Sequence, residues 1–200
     1  MKRPIWRRGA RVSLVPFIEA DIPKLVKWFN DEETLLFLNG VMPVTEIKEK
    51  KWLEKISESY EQPAPRELVL GVMLNDDEKL IGTMGLHNIN WINRTAVTGT
   101  CIGPKKHRQK GYATEAKFLL LQTAFERLGL FKVYSHVIDF NGDSKKYAGT
   151  CGYVEEARLP GEHWRAGKRY DEVVFAVYED SWRKAYSAWK KDQAKRSSKK

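Results

Sequence analysis

Apolar residues recur along this chain with two periods, and the changes between them mark out its elements. Arg11-Val12-Ser13-Leu14-Val15-Pro16-Phe17 alternates as a strand does and stops at Pro16. Ile22, Leu25, Val26 and Phe29 follow at helical spacing, behind Asp21 as a cap and Pro23 in the first turn. Leu35 to Val44 shows neither period and is predicted irregular. Thr45 caps a predicted second helix through Tyr60, with Trp52, Ile56 and Tyr60 on its buried stripe. Glu67–Leu74 and Lys79–His87 read as antiparallel strands around the turn Asn75-Asp76-Asp77-Glu78. Arg94 to Ile102 is the next strand. A long apolar helix then starts at Tyr112 and ends near Gly129, a natural C-terminal stop. Phe131 to Ile138 reads as a strand, and Ser144 to Cys151 as a short helix closed by Gly152. Tyr153–Arg158 and Tyr170–Tyr178 form a closing hairpin around Pro160-Gly161 and Ala166-Gly167. Asp180 to Ala194 is an amphipathic terminal helix, with Trp182, Ala185, Tyr186 and Trp189 along one stripe.

This order, β-α-α-β-β-β-α-β-α-β-β, implies an α/β domain with a mixed sheet and helices on both faces. Two hundred residues suit one domain with a substantial core. It is placed at 11–183, after a basic extension over 1–10 and before a helix end and basic tail over 184–200. No apolar run is long enough to span a bilayer, and no signal-like stretch follows the N-terminal charges. Cys101 and Cys151 make no disulfide framework, so the expected setting is the reduced cytoplasm. The four histidines and two cysteines lack metal-ligand spacing, and no metal is expected.

The net charge of +9 suggests nucleic acid until it is located. Residues 1–11 carry +5 and residues 190–200 another +5, leaving −1 for 12–189. Basic ends of this kind are solvated runs that attract RNA or ribosomes weakly. Inside the domain, 12–90 sums to −6 and 91–189 to +5. A basic half suits a co-substrate with several phosphates, and an acidic half suits a cationic acceptor. Asp31, Glu32, Glu33, Glu46 and Glu49 are the acids expected to favour such a cation.

Thr98 to Leu121 is the stretch with the clearest chemistry. A strand ends at Thr98-Gly99-Thr100-Cys101-Ile102, a basic turn runs from Gly103 to Gly111, and a helix begins at Tyr112. A helix start leaves N–H groups unpaired and partly positive, which suits phosphate. Gly111 and Ala113 let an anion approach the backbone, and Lys105, Lys106, Arg108 and Lys110 add charge. The spacing fits neither the P-loop nor the Gly-x-Gly-x-x-Gly fingerprint. Arg108-x-x-Gly111-x-Ala113 resembles the acetyl-CoA loop of the GNAT superfamily of N-acetyltransferases. The likeness continues in Trp28-Phe29-Asn30-Asp31, Ile81-Gly82-Thr83-Met84-Gly85-Leu86 and Gly111-Tyr112-Ala113-Thr114-Glu115-Ala116. It resumes in Asn141-x-x-Ser144, Gly152-Tyr153-Val154-Glu155-Glu156 and Gly167-Lys168-Arg169-Tyr170-Asp171. It covers residues 11–183 and is greatest to the branch that acetylates ribosomal-protein N-termini, polyamines and amino sugars.

The resemblance implies a mostly antiparallel sheet splayed between its fourth and fifth strands. It implies an enzyme that transfers acetyl from acetyl-CoA to a primary amine by direct attack in a ternary complex, as a monomer or homodimer. Cys101, Ile102, Arg108, Gln109, Lys110, Gly111, Tyr112, Ala113, Thr114, Asn141 and Ser144 are the implied cofactor-binding residues. An aliphatic amine has a pKa near 10, so only about one molecule in a thousand is neutral at pH 7 and a base matters. Many relatives carry a Glu where this chain has Val97, and a Tyr where it has Ala148. Tyr147 is adjacent, but one residue turns a helical side chain by about 100°. The ribosomal-protein branch implies another arrangement. Ser144 protonates the CoA sulfur, and a base in the hairpin falls at His163, beside Glu162. Imidazole, with an ordinary pKa near 6.5, suits a base at neutral pH. His87 reads as a core or groove histidine, and Cys101 as a buried strand thiol. A non-catalytic acetyl-CoA-binding or ribosome-associated module is the alternative that Val97 and Ala148 favour.

Overall fold

The computed structural model describes residues 3–38 and 42–197, the last two by backbone alone. Eight strands form one sheet: β1 Arg7–Arg8, β2 Val12–Val15, β3 Leu68–Leu74, β4 Leu80–Asn90, β5 Thr95–Ile102, β6 Lys132–Ile138, β7 Val154–Arg165 and β8 Lys168–Tyr178. Their order is β1-β2-β3-β4-β5-β6-β8-β7. Every neighbouring pair is antiparallel except β5 with β6. The helices are α1 Ile22–Phe29, α2 Glu32–Leu35, α3 Glu46–Tyr60, α4 Tyr112–Gln122, α5 Gly142–Thr150 and α6 Glu179–Ser197. No helix among the described residues is long and apolar enough to cross a membrane.

The two faces of the sheet differ. On one, α4, α5 and α6 bury Phe118, Leu120, Leu121, Ala148, Cys151 and Trp182 against Leu14, Val72, Leu86, Val133 and Val177. On the other, α1 and α3 cover only the β2–β4 end, where Leu25 and Trp28 meet Val15, Met73 and Leu80. Beyond that end the second face of β5, β6 and β8 stays open among the described residues. There Val97, Tyr134, His136 and Val174 line a depression of about 420 Å³ with Arg66, Asn88 and Asn90.

Four local expectations are corrected. Arg7–Arg8 pairs with Ser13 and Leu14, and Arg3 bonds Asp21 at 2.8 Å, so these three arginines are held against the domain. Asp31 caps a further short helix, α2, by accepting from Thr34 N at 3.0 Å. Residues 39–41 of the region predicted irregular lie outside the described residues. The short helix begins at Gly142 rather than Ser144, because Asn141 is its cap and accepts from Ser144 N at 3.0 Å. The closing hairpin turns only at Ala166-Gly167, both with positive φ as a two-residue hairpin turn requires. Pro160-Gly161 instead falls inside β7, at a break in its register with β8 between Leu159 and His163.

Candidate active site

The site begins where β5 and β6 part. Thr95, Ala96 and Val97 pair with Lys132, Val133 and Tyr134, and there the pairing ends. From Thr98 onward β5 continues with β4 alone, while β6 continues with β8. A strand with one side unpaired presents N–H and C=O groups that need partners. The result is a slot whose β5 wall is Thr98 to Ile102. At its apex Thr98 Oγ1 donates to Tyr134 O at 3.0 Å and bonds Tyr153 OH at 3.1 Å.

Above the slot the basic turn leads into α4. Gln109 (φ 57°) and Gly111 (φ 79°) are left-handed, and Gly111 starts the helix with no side-chain cap. The first-turn N–H groups of α4 are therefore left for an external acceptor. Glu115, buried, anchors this end of α4 by accepting from Arg11 N at 2.7 Å and Arg11 Nε at 3.0 Å. Arg108 does not reach for an anion. Its guanidinium donates to Ile102 O (3.0 Å), Gly103 O (2.9 Å), Thr34 Oγ1 (3.0 Å) and Glu33 Oε1 (3.1 Å). It shapes the turn and ties it to α2. Lys105 is likewise paired with Glu33, and Gln109 Nε2 donates to Asp143 at 3.0 Å, joining the turn to α5. Asp31 and Glu33 are thus spent on structure, and Glu49 is buried with its carboxyl pushed up by desolvation. None of these three is free to hold a cation.

Beneath the slot, on the helical side, lies a polar group that the sequence did not reveal. Tyr147 OH reaches Thr100 Oγ1 at 3.2 Å, although a one-residue turn of the helix was expected to carry it away. Lys117 of α4 is buried, with Nζ 5.4 Å from the Tyr147 ring centre and 5.7 Å from that of Tyr153. Desolvation brings its pKa down to about 7, against a smaller opposing effect of Cys151. Burial pushes the Cys151 thiol up to about 12 and the Cys101 thiol up to about 11. Neither is a thiolate at neutral pH, which disfavours a cysteine nucleophile.

On the open face the strands set three rows of side chains. Val97 pairs with His87 on β4 and with Tyr134 on β6. One row further, Gly85 pairs with Gly99, and His136 with Val174. The next row holds Glu172, paired with Ile138 and Leu159. Glu172, buried, joins two imidazoles: its Oε1 lies 2.6 Å from His136 Nδ1 and its Oε2 lies 3.1 Å from His163 Nε2. His163 is itself buried and pairs with Tyr170 near the hairpin end, farther from the slot than His136. Ser144 and Asn141 stand together at the start of α5. The turn, slot and α5 residues expected from the sequence are therefore gathered around one opening. His163 sits on the open face instead. Glu172, His136 and Glu67 were missed, because only the strand register brings them together.

A split parallel pair leads through a glycine turn into an uncapped helix, an arrangement suited to a ligand that carries phosphate. Residues 11–154 match the family described as the GNAT acetyltransferase domain, and the chain belongs to that family. That family is one of acetyltransferases. The spermidine N(1)-acetyltransferase of Vibrio cholerae is 35% identical over 102 residues, covering 51% of this chain and 58% of that enzyme. The chain thus aligns with little more than half of that relative. An uncharacterized N-acetyltransferase of Bacillus licheniformis is 26% identical over 84% of this chain and 92% of its own. The structure of spermidine N-acetyltransferase from Vibrio cholerae in complex with CoA and spermine superposes with a TM-score of 0.77. It is 22% identical and covers 87% of this chain and 99% of that one.

Acetyl-CoA fits the residues present. The uncapped α4 start offers N–H groups to a diphosphate, and the unpaired edge of β5 offers hydrogen-bonding groups along the slot. Bound there, the thioester supplies the activated acetyl carbonyl.

Proposed function

We propose that this protein acetylates a small amine carrying more than one positive charge, with the acceptor entering over the open face of β5, β6 and β8. The observation that carries this reading is the split between β5 and β6, opening on one side to an uncapped helix and on the other to a face bearing carboxylates. The backbone of Gln109, Lys110, Gly111, Tyr112, Ala113 and Thr114 cradles the phosphates. Cys101 and Ile102 line the slot, and Asn141 holds the start of α5 against it. Ser144, whose backbone N–H donates to Asn141, supplies a proton toward the departing sulfur. Arg108 serves the cofactor by fixing the turn.

On the acceptor side, Glu67, about one third exposed, supplies negative charge, while Glu172 is held between His136 and His163. His163 braces Glu172 and belongs to the acceptor site. The far end of this face is bridged. Arg165 donates to Leu36 O at 3.1 Å and Leu38 O at 2.8 Å, and Phe37, Phe140 and Tyr170 pack in sequence. Such a bridge favours a compact acceptor over a long peptide. The relatives that acetylate spermidine agree with this choice.

Thiol release from acetyl-CoA, measured with spermidine, glucosamine and a peptide with a free N-terminus, tests the reading. Turnover should be fastest with spermidine and should fall as salt rises, since exposed charges at the acceptor site are screened. Faster turnover of the peptide would replace the small acceptor with a protein N-terminus. Binding of acetyl-CoA with no turnover of any of the three would indicate a non-catalytic module.

A further inference from the structure

Val97 leaves a gap on the open face that a neighbouring strand fills. Val97 lines the floor of the depression and pairs directly with His87. The His87 ring lies across Gly85 and Gly99. A Cβ built on either glycine would stand 3.1 Å or 3.0 Å from its Nε2. Gly99 is the second residue past Val97 on the unpaired wall of the slot. The two glycines therefore make room for the Nε2 edge of the imidazole beside the point where the sheet opens. The Nδ1 edge faces Glu67, 3.7 Å away, and both side chains are about one third exposed, at 35% and 38%. A carboxylate on Nδ1 favours the tautomer that leaves Nε2 free to accept.

We propose that His87, oriented by Glu67 and set opposite Val97, is the base that takes the proton from the acceptor amine. This inference rests on the acetyltransferase reading above. The amine nitrogen forms its bond to the acetyl carbon as the carbon–sulfur bond breaks. The nitrogen proton passes to His87 Nε2, and the sulfur leaves with the electron pair and takes a proton from the Ser144 side. His87 starts neutral. Burial holds it below the ordinary imidazole value, Glu67 opposes that effect, and Lys117 acts through the sheet in the same direction as burial. Arg66 and His136 are the other ionisable groups lining the adjoining depression, with Tyr134 between them. His163 stands farther from the split than His87, beyond Glu172 on β7.

The test uses whichever amine the wild type turns over fastest. His87→Gln should lower kcat about 100-fold, within the range for losing a general base. It should also abolish the acidic limb of the kcat/KM pH profile, with binding of CoA unchanged. His87→Ala with Val97→Glu should recover at least tenfold over His87→Ala alone, because Val97 is the direct cross-strand partner of His87 on the same face of the sheet. Glu67→Gln should move the limb to lower pH, and NMR titration of the His87 ring in the free protein should show the same downward shift. The NMR reading is independent of turnover and serves if His87→Gln does not fold. An unchanged profile in His87→Gln, or an acidic limb that disappears in His163→Gln instead, overturns the assignment. A wild type inactive on every amine overturns the acetyltransferase reading itself, and the base with it.

Discussion

Replacing Lys117 by methionine should make the protein more stable, by about 4 kcal/mol at pH 7. The lysine is buried among Tyr147, Tyr153 and Cys151, and forms no ion pair among the described residues. Its pKa falls from 10.5 to about 7 on folding, and each pKa unit is worth about 1.4 kcal/mol. Between pH 7 and 10.5 the unfolded chain binds the proton that the folded chain has released. Stability must therefore rise with pH across that window. The cost is full below pH 7 and gone above 10.5. Methionine matches the length of the stem and removes the charge, at the loss of two weak contacts with aromatic rings. Guanidinium unfolding of both proteins at pH 6.5 and pH 10 checks this. The gap should be several kcal/mol at the lower pH and should nearly close at the higher. A gap independent of pH would show that the lysine is not buried as an unpaired amine. A costly charge retained beside the slot also makes Lys117→Met a sensitive probe of whether that charge steadies the thiol side of the reaction.

Gly103→Ala should have the opposite effect, a loss of about 3 kcal/mol or more. A Cβ at Gly103 would lie 2.1 to 2.3 Å from three ring atoms of the Trp28 indole. That ring is buried between α1 and the sheet, packed with Leu25 and Met73, and has no free end to swing away. Gly103 is also the first residue of the cofactor turn. Its N–H donates to Ile81 O at 3.0 Å, and its carbonyl accepts from Arg108. Relief of the clash must therefore displace α1 or the turn. Thermal unfolding with and without CoA separates these outcomes. The variant should melt lower and bind CoA at least tenfold more weakly. Combining Gly103→Ala with Trp28→Leu should cost less than the sum of the two single changes, because the smaller side chain makes room. Additive losses would mean that the two residues do not touch.

These residues also show what could be seen before the structure. β2, β3, β4, β5, β6 and β8 were legible because each alternates or runs apolar between clear turns. α3 and α4 were legible because Thr45 and Gly111 punctuate strong patterns. α2 was not, since four residues carry no period. The hairpin turn was ambiguous between two glycine-containing pairs, and only register decides that Pro160-Gly161 sits within β7. The turn before α4 could be read because its geometry depends on local backbone and on neighbours in sequence. The bonds of Arg108 to Thr34 and Glu33 could not be read, because those partners lie more than 70 residues away. The acceptor face was hardest. His87 faces Val97 across one hairpin, but Glu172 meets His136 across 36 residues and only through the β6–β8 pairing. No spacing in the sequence encodes those contacts.

The central claim is that acetyl passes in a single step from the slot to an amine on the open face. The most direct measurement is a rapid-quench single turnover. The protein is loaded with acetyl-CoA labelled in the acetyl group and mixed with the amine it turns over fastest. The label is then followed on CoA, protein and amine. The expected result is loss from CoA matched at every time by gain on the amine nitrogen, with none on the protein. Label that appears first on the protein, at Cys101 or Lys117, and then moves to the amine would contradict a direct transfer.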